Sequence, residues 1–136
     1  RLGAANCIRR LGDVHVQLAE YPDARQRFEQ ALTLYTAIGQ VLGQMICRRG
    51  LADLARQEQR FEAARAMYLQ AIEYYQTTGM AHNEAFLWQR LAYTARDSGD
   101  TAEARRCFGQ ALSIWQRIGS PSANEVSVEM AALDSH

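Results

Sequence analysis

Apolar residues recur every three or four positions along most of the chain, which is the spacing of one face of an amphipathic α-helix. The clearest apolar stripe consists of Phe61, Ala64, Tyr68, Ala71, Ile72 and Tyr75. Short breaks, most of them containing glycine, separate one such segment from the next. The pattern predicts seven helices, near residues 2–19, 22–37, 41–58, 61–77, 81–97, 101–117 and 121–133.

The breaks carry residues that end or begin a helix. Gly39, Gly79 and Gly119 each follow a predicted helix, at a place where a left-handed backbone conformation is often required. The Ser-Gly-Asp segment at 98–100 supplies a stop followed by a helix cap. These positions therefore support the predicted helix ends.

The sequence repeats itself with a period of 40 residues. The positions that are identical in all three copies are Leu11/Leu51/Leu91, Ala24/Ala64/Ala104, Arg25/Arg65/Arg105, Gln30/Gln70/Gln110, Ala31/Ala71/Ala111 and Gly39/Gly79/Gly119. This agreement favours three tandem helix pairs, near 1–40, 41–80 and 81–120, with residues 121–133 as a capping helix. Because such repeats bury their apolar faces only by stacking on their neighbours, the predicted fold is an all-α solenoid in one domain.

The composition excludes several classes of protein. The chain has 136 residues, of which 48% are hydrophobic and 22% charged, as in globular rather than disordered proteins. No apolar run approaches the ~20 residues of a membrane-spanning helix. The formal net charge is zero, and all 15 basic residues are arginine, so binding to nucleic acid or to anionic lipid is not expected. Since the chain begins at Arg1, we interpret it as part of a longer protein.

Few side chains have the spacing of a catalytic or metal-binding site. Free thiols that pack as small residues are expected at Cys7, Cys47 and Cys107. His15, His82 and His136 have no ligand spacing among themselves or with the cysteines. No nucleophile–base pair and no pair of carboxylates has the sequence spacing expected of catalytic residues. We therefore predict no metal, no cofactor and no enzymatic activity.

The repeat positions resemble the tetratricopeptide repeat (TPR), a helix–turn–helix unit. The family pattern has a large residue, then Leu-Gly or Leu-Ala three positions later, and an Ala–aromatic–Ala series in the second helix. The third copy carries it at Trp88, Leu91-Ala92, Ala104, Phe108 and Ala111. The first copy carries it at Ile8, Leu11-Gly12, Ala24, Phe28 and Ala31. The second copy departs from it at Arg48, which stands where a large apolar residue is expected.

The repeat length restricts the resemblance to TPR proteins with long repeats, because the period here is 40 residues and the common TPR period is about 34. Longer repeats of this kind resemble those of kinesin light chain and of Leu-Gly-Asn-rich adaptors. They are most similar to the sensor arms of bacterial signal-transduction ATPases with numerous domains (STAND), of which the segment EARRCFGQALSIWQRIG at 103–119 is typical. No ATPase motif is present in the chain. The resemblance implies a scaffold or sensor segment of a larger, cytoplasmic signalling protein.

In the TPR family, the first helices of successive repeats line a concave groove that binds a protein or peptide. By position, the resemblance assigns to this groove Asn6, Arg9, Asp13, Gln17, Arg49, Asp53, Arg56, Gln57, Gln89, Tyr93 and Arg96. Phe86 is expected to add an aromatic contact beside Tyr93. Because arginine can bind carboxylates through two parallel hydrogen bonds, the expected partner is an extended or helical peptide with some acidic groups.

The resemblance also argues against one kind of partner. Members that bind chaperone tails hold a terminal carboxylate with Lys, Asn and Arg side chains, whereas this chain has no Lys and carries Asp13 and Asp53 at the place of the Asn. A chaperone C-terminal peptide is therefore not expected to bind. The predicted function is a non-enzymatic protein-interaction module. The alternative is a spacer or a segment that self-associates into a homo-oligomer and has no groove ligand.

Overall fold

The computed structural model describes residues 1–134, which form seven α-helices and contain no β-strand. The helices are α1 (Leu2–Gln17), α2 (Tyr21–Ala37), α3 (Val41–Gln57), α4 (Phe61–Thr78), α5 (Ala81–Asp97), α6 (Thr101–Arg117) and α7 (Ser122–Leu133). Every helix end lies within about two residues of its predicted position, so the all-α helical-repeat fold is confirmed. None of these helices is both long and apolar enough to span a membrane. His136 lies outside the described residues.

Two series of turns separate the helices. At the turns after α2, α4 and α6, glycine is left-handed as predicted, with φ of +70° at Gly39, +71° at Gly79 and +72° at Gly119. At the turns inside the helix pairs, the left-handed residue is Gly99 in the third copy, but Ala19 (φ 58°) and Gln59 (φ 62°) hold this position in the first two. A left-handed conformation costs a non-glycine residue about 1–2 kcal/mol. Packing of the flanking helices therefore enforces a turn that the local sequence disfavours.

Residues Arg1–Arg60 form one compact unit, in which α2 packs against both α1 and α3. The ring of Phe28 in α2 is only 2% exposed. It lies against Gly12 of α1 and Gly50 of α3, and a Cβ atom built on either glycine would stand 2.9 Å from the ring. The missing side chains thus let three helices approach one another around a single aromatic ring.

A second compact unit begins at Phe61 and contains α4 to α7. In this unit α5 packs against α4 and α6, and α7 packs against α6. Its largest fully buried rings are Tyr68, Phe108 and Trp115. The alanines with no exposed surface are Ala64, Ala71, Ala85, Ala92, Ala104 and Ala111. Small side chains between large rings allow close helix packing, which explains why alanine recurs at these positions.

The arginine that is identical in all three copies forms an ion pair in each of them. The pairs are Arg25–Glu58, Arg65–Glu103 and Arg105–Asp134. Each pair joins two elements of the same unit and is at least partly exposed to solvent. Exposed ion pairs contribute little net stability, so the apolar packing described above accounts for most of the stability of each unit.

The prediction that cysteines pack as small residues is correct for Cys47 and Cys107, which are buried, and wrong for Cys7, which is exposed. Cys7 and Cys47 occupy equivalent positions in successive copies. Cys47 packs against Ala31 and Tyr35 of α2, whereas Cys7 lies on a face of α1 that remains open to solvent. The difference comes from neighbouring helices rather than from the local sequence.

Burial raises the pKa of the Cys47 and Cys107 thiols from 9.0 to about 11, because the interior disfavours the thiolate. The folded state thus favours the neutral thiol. The stabilisation that comes from this preference for the neutral thiol is fully present below pH 9.0 and is lost as the pH rises toward about 11. We expect the free energy of unfolding in urea to fall between about pH 9 and pH 11, and to fall less in a Cys47→Ala, Cys107→Ala variant. Equal losses in the two proteins would contradict this assignment.

Candidate partner-binding pockets

Each compact unit contains a pocket between the first helices of successive copies. In the first unit the pocket lies between α1 and α3, and in the second it lies between α5 and α7, with α6 beneath it. The two pockets enclose about 330 Å³ and about 250 Å³, respectively. Volumes of this size accommodate a few side chains of a bound peptide.

The pocket of the first unit is lined by Asp13, Val16, Gln17, Phe28, Arg49, Gly50 and Asp53. Four of these, Asp13, Gln17, Arg49 and Asp53, are predicted groove residues. The lining carries one arginine and two aspartates, and Asp13 also pairs with Arg9 at 3.6 Å. A ligand here meets both signs of charge, so the pocket alone does not select an anionic partner.

Two predicted groove residues of α1 contact α2 instead. The Tyr35 hydroxyl group donates a hydrogen bond to Asn6 Oδ1, and its oxygen accepts one from Arg9 Nε at 3.2 Å. Both side chains are half-buried. They hold the Tyr35 ring in the interface between α1 and α2. The remaining two predicted residues of this unit, Arg56 and Gln57, lie in the last turn of α3 and are not part of the pocket lining.

The pocket of the second unit is lined by His82, Phe86, Gln89, Arg90, Tyr93, Trp115, Ser122 and Glu125. Sequence reasoning predicts Phe86, Gln89 and Tyr93 and misses the other five. His82 and Arg90 each lie four residues from Phe86, on the same face of α5. This helical spacing is the sequence signal that could have indicated the two missed residues. Trp115 and the α7 residues could not have been found this way, because they reach the pocket only through packing.

A hydrogen-bond network forms the floor of this second pocket. Trp115 Nε1 donates to Gln89 Oε1 at 3.2 Å, and Gln89 Nε2 donates to the Tyr93 hydroxyl oxygen at 2.8 Å and to Glu125 Oε1 at 3.4 Å. Gln89 is only 8% exposed, so it acts mainly through its neighbours. The network links α5, α6 and α7 and fixes the Tyr93 and Glu125 side chains before any ligand binds.

Above this floor the pocket combines aromatic and charged groups. The Arg90 guanidinium lies 4.7 Å from the centre of the Phe86 ring, and the His82 ring meets the Trp115 ring edge-on with centres 4.9 Å apart. Glu125 supplies a carboxylate from the opposite helix. Together they offer a ligand an apolar surface, a cationic donor and an anionic acceptor.

Arg96 lies beyond the pocket and is already engaged. Its guanidinium is 5.0 Å from the centre of the Tyr93 ring and pairs with Asp97 at 3.6 Å and with Glu129 at 3.0 Å. It borders a separate cavity beside Thr101 and α7. Of the groove residues predicted in the third copy, Arg96 is therefore the one that the structure does not bring to the pocket.

One group of side chains with metal-ligand atoms occurs in the described residues, where the sequence had indicated none. His15 Nδ1 lies 2.9 Å from Glu20 Oε1, and Asp23 completes a set whose ligand atoms lie within 4.8 Å of one another. The two carboxylates are exposed. A His–Glu hydrogen bond across the turn between α1 and α2 accounts for this geometry without an ion.

The tetratricopeptide repeat family model matches residues 1–77, and a second model of the same description matches residues 89–118. The first match spans more than half of the chain, and the chain belongs to the tetratricopeptide repeat family. Proteins of this family are in general non-enzymatic scaffolds for protein–protein interaction. No curated protein matches the chain in sequence.

Solved structures with the same fold share little sequence with the chain. BtubC (BKLC) from P. vanneervenii is 18% identical over 95% of this chain and 54% of its own, with a TM-score of 0.87. The apo form of RapI is 12% identical over 99% and 50%, with a TM-score of 0.89. The TPR-like repeats of a putative kinesin light chain from Podosopora anserina are 15% identical over 98% and 66%, with a TM-score of 0.80. The chain thus spans about half the length of the first two proteins, and the likeness shows the fold alone.

Proposed function

We propose that this chain is the peptide-binding scaffold of a larger cytoplasmic signalling protein, and that the pockets between its first helices receive side chains of a protein partner. The observation that carries the proposal is the preformed floor under the α5–α7 pocket, where Gln89 is hydrogen-bonded to Trp115, Tyr93 and Glu125. Residues fixed in advance lose little conformational entropy when a ligand binds. The signalling context is supported by the sequence resemblance to STAND sensor arms.

The chemistry of the α5–α7 pocket indicates the partner. Aromatic and arginine side chains are the residue types that most often dominate binding energy at protein interfaces, and this pocket presents Phe86, Tyr93 and Arg90 together. The Arg90 guanidinium suits a carboxylate of the partner, and the rings suit a neighbouring apolar side chain. We therefore propose a peptide in which an acidic residue stands close to an apolar one.

Selection from a library of displayed short random peptides tests this proposal. Peptides selected on the native protein are expected to share an acidic residue beside an apolar one. They should bind at least about tenfold more weakly to Phe86→Ala and Arg90→Glu variants, as loss of a central contact predicts. Arg106→Glu is the matched control, because Arg106 is an exposed residue of α6 outside both pockets.

Fluorescence anisotropy with the selected peptides gives the affinities. Equal weakening by Arg90→Glu and Arg106→Glu would indicate a general charge effect and contradict the pocket. Selected peptides without the acidic and apolar pair would also contradict it. A chaperone C-terminal peptide serves as a second ligand, for which we expect no measurable binding because Asp13 and Asp53 both line the first pocket.

A further inference from the structure

The pocket between α1 and α3 reaches an aromatic ring that is covered in the third copy of the repeat. In the first unit the ring of Phe28 is part of the pocket lining. The equivalent ring in the third copy is Phe108, and the Tyr93 ring packs edge-on against it with centres 5.5 Å apart. The position of Tyr93 corresponds to Asp13 in the first copy. Because aspartate is shorter and has no ring, it leaves space beside Phe28.

Small and acidic residues also open the pocket from the α3 side. A Cβ atom added at Gly50 would stand 2.9 Å from the Phe28 ring, so this glycine leaves the ring accessible. The residue of α7 at the equivalent repeat position is Met130, and the residue equivalent to Asp53 is Leu133. Where the second unit carries larger, uncharged side chains, the first unit therefore has an opening with an aromatic floor and carboxylates at its edge.

The charges around this opening favour a cation. Asp13 and Asp53 line the pocket together with a single arginine, Arg49. The Asp13 side chain pairs with Arg9 at 3.6 Å but is 49% exposed, so its carboxylate is still accessible to a ligand. An apolar side chain in the pocket would displace water from the carboxylates without replacing its hydrogen bonds, and an acidic one would be repelled by them. A basic side chain avoids both costs.

The third copy contains an arginine of its own in the corresponding part of the repeat. The guanidinium of Arg96 lies 5.0 Å from the centre of the Tyr93 ring and pairs with Glu129 of α7 at 3.0 Å. An aromatic ring and a carboxylate from the next first helix thus hold one arginine. The equivalent position on α1 is Val16, which lines the α1–α3 pocket and has no charged group. The first unit therefore has the ring and the carboxylates but lacks this arginine.

We infer that the α1–α3 pocket binds an arginine side chain of the protein partner. The aliphatic stem of that arginine lies over Val16 and Phe28, and its guanidinium donates hydrogen bonds to the carboxylates of Asp13 and Asp53. Arginine suits the pocket better than lysine, because a planar guanidinium donates two parallel hydrogen bonds to a carboxylate and stacks on an aromatic ring. The inference rests on the proposed function, since it specifies the side chain that one of the two pockets receives.

A second peptide selection tests this inference separately from the proposed function. The same displayed library is selected on a Phe86→Ala, Arg90→Glu variant, which removes two side chains of the α5–α7 pocket and leaves the α1–α3 lining unchanged. Peptides selected on this variant are expected to share an arginine. If they do, but selection on the native protein yields no acidic and apolar pair, only the ligand proposed for the α5–α7 pocket is wrong. The reverse result contradicts only the arginine inference.

Fluorescence anisotropy on the native protein then identifies the contact. Replacing the arginine of a selected peptide with citrulline, which has nearly the same shape and no charge, should weaken binding at least about tenfold. An Asp13→Asn, Asp53→Asn variant should weaken the arginine peptide to a similar extent and change the affinity for the citrulline peptide little. The matched control is Asp23→Asn, Glu29→Gln, which removes the same charge from exposed positions of α2 outside the pocket.

Asp13→Tyr blocks the pocket in another way. A tyrosine at this position is expected to pack against Phe28 as Tyr93 packs against Phe108, and so to abolish binding of the arginine peptide without lowering the urea midpoint. Four results would overturn the inference: no arginine among the peptides selected on the variant, equal affinities for the arginine and citrulline peptides, equal weakening by the two double variants, or full binding by Asp13→Tyr.

Discussion

Trp115→Ala is expected to lower the free energy of unfolding of the second unit by about 3–5 kcal/mol, the usual cost of removing a buried large aromatic side chain. Trp115 is 2% exposed, and its indole N–H donates to Gln89 Oε1. Removal leaves a cavity beneath the α5–α7 pocket and deprives a nearly buried amide oxygen of its donor. Urea unfolding followed by circular dichroism measures the loss.

Trp88→Ala is the matched control, because Trp88 is the other tryptophan of the chain and is only half-buried, with its indole N–H bonded to Glu84 at 3.0 Å. We expect it to cost less than half as much. Each variant leaves a single tryptophan, whose fluorescence reports unfolding of the second unit. If Trp88→Ala destabilised the protein as much as Trp115→Ala, the assignment of Trp115 as the floor of the pocket would be wrong.

Gly43→Ala is expected to destabilise the first unit by about 1–3 kcal/mol, although alanine is the better helix former. The added Cβ atom would stand 2.4 Å from Tyr35. Movement of the ring is opposed because it is 1% exposed and its hydroxyl group is hydrogen-bonded to Asn6 and Arg9. The urea midpoint should fall, and the buried Cys47 thiol in the same interface should react faster with a thiol reagent.

Gly109→Ala is the opposite case and serves as its control. Gly109 lies inside α6 with no atom within 4 Å of the position of an added Cβ. Alanine there should stabilise the helix by up to about 1 kcal/mol through its better helix propensity. Substitutions of the same type are thus predicted to have opposite signs. Stabilisation by both would show that Tyr35 moves aside and that the α2–α3 interface is looser than described.

Most of the fold could be predicted from the sequence because its signals are local and repeated. The spacing of apolar residues defines a helix within a few turns, and glycines at 39, 79 and 119 mark helix ends whose left-handed geometry the structure contains. A period of 40 residues then indicates one packing solution used three times. Neither inference requires knowledge of which residues meet in space.

The candidate site was predicted only in part, because the sequence places a residue on a first helix but does not show what that residue contacts. Asn6 and Arg9 lie on α1 as predicted, yet they bind Tyr35. Gln89 was predicted as a groove contact and is a buried link to Trp115. Glu125 was not assigned to the groove, because it reaches the α5–α7 pocket only through the packing of α7.

Local signals specify the number of helices, their ends and their tetratricopeptide repeat pairing, since helix periodicity and helix-ending glycines act over a few residues. Which faces of those helices are covered depends on tertiary packing. Leu11 and Leu91 are identical in type and in repeat position, but α4 packs over α5, while no described helix covers the equivalent face of α1. Burial of a side chain depends on helices that lie far away in sequence. The position of a residue within its repeat does not specify whether such a helix packs over it.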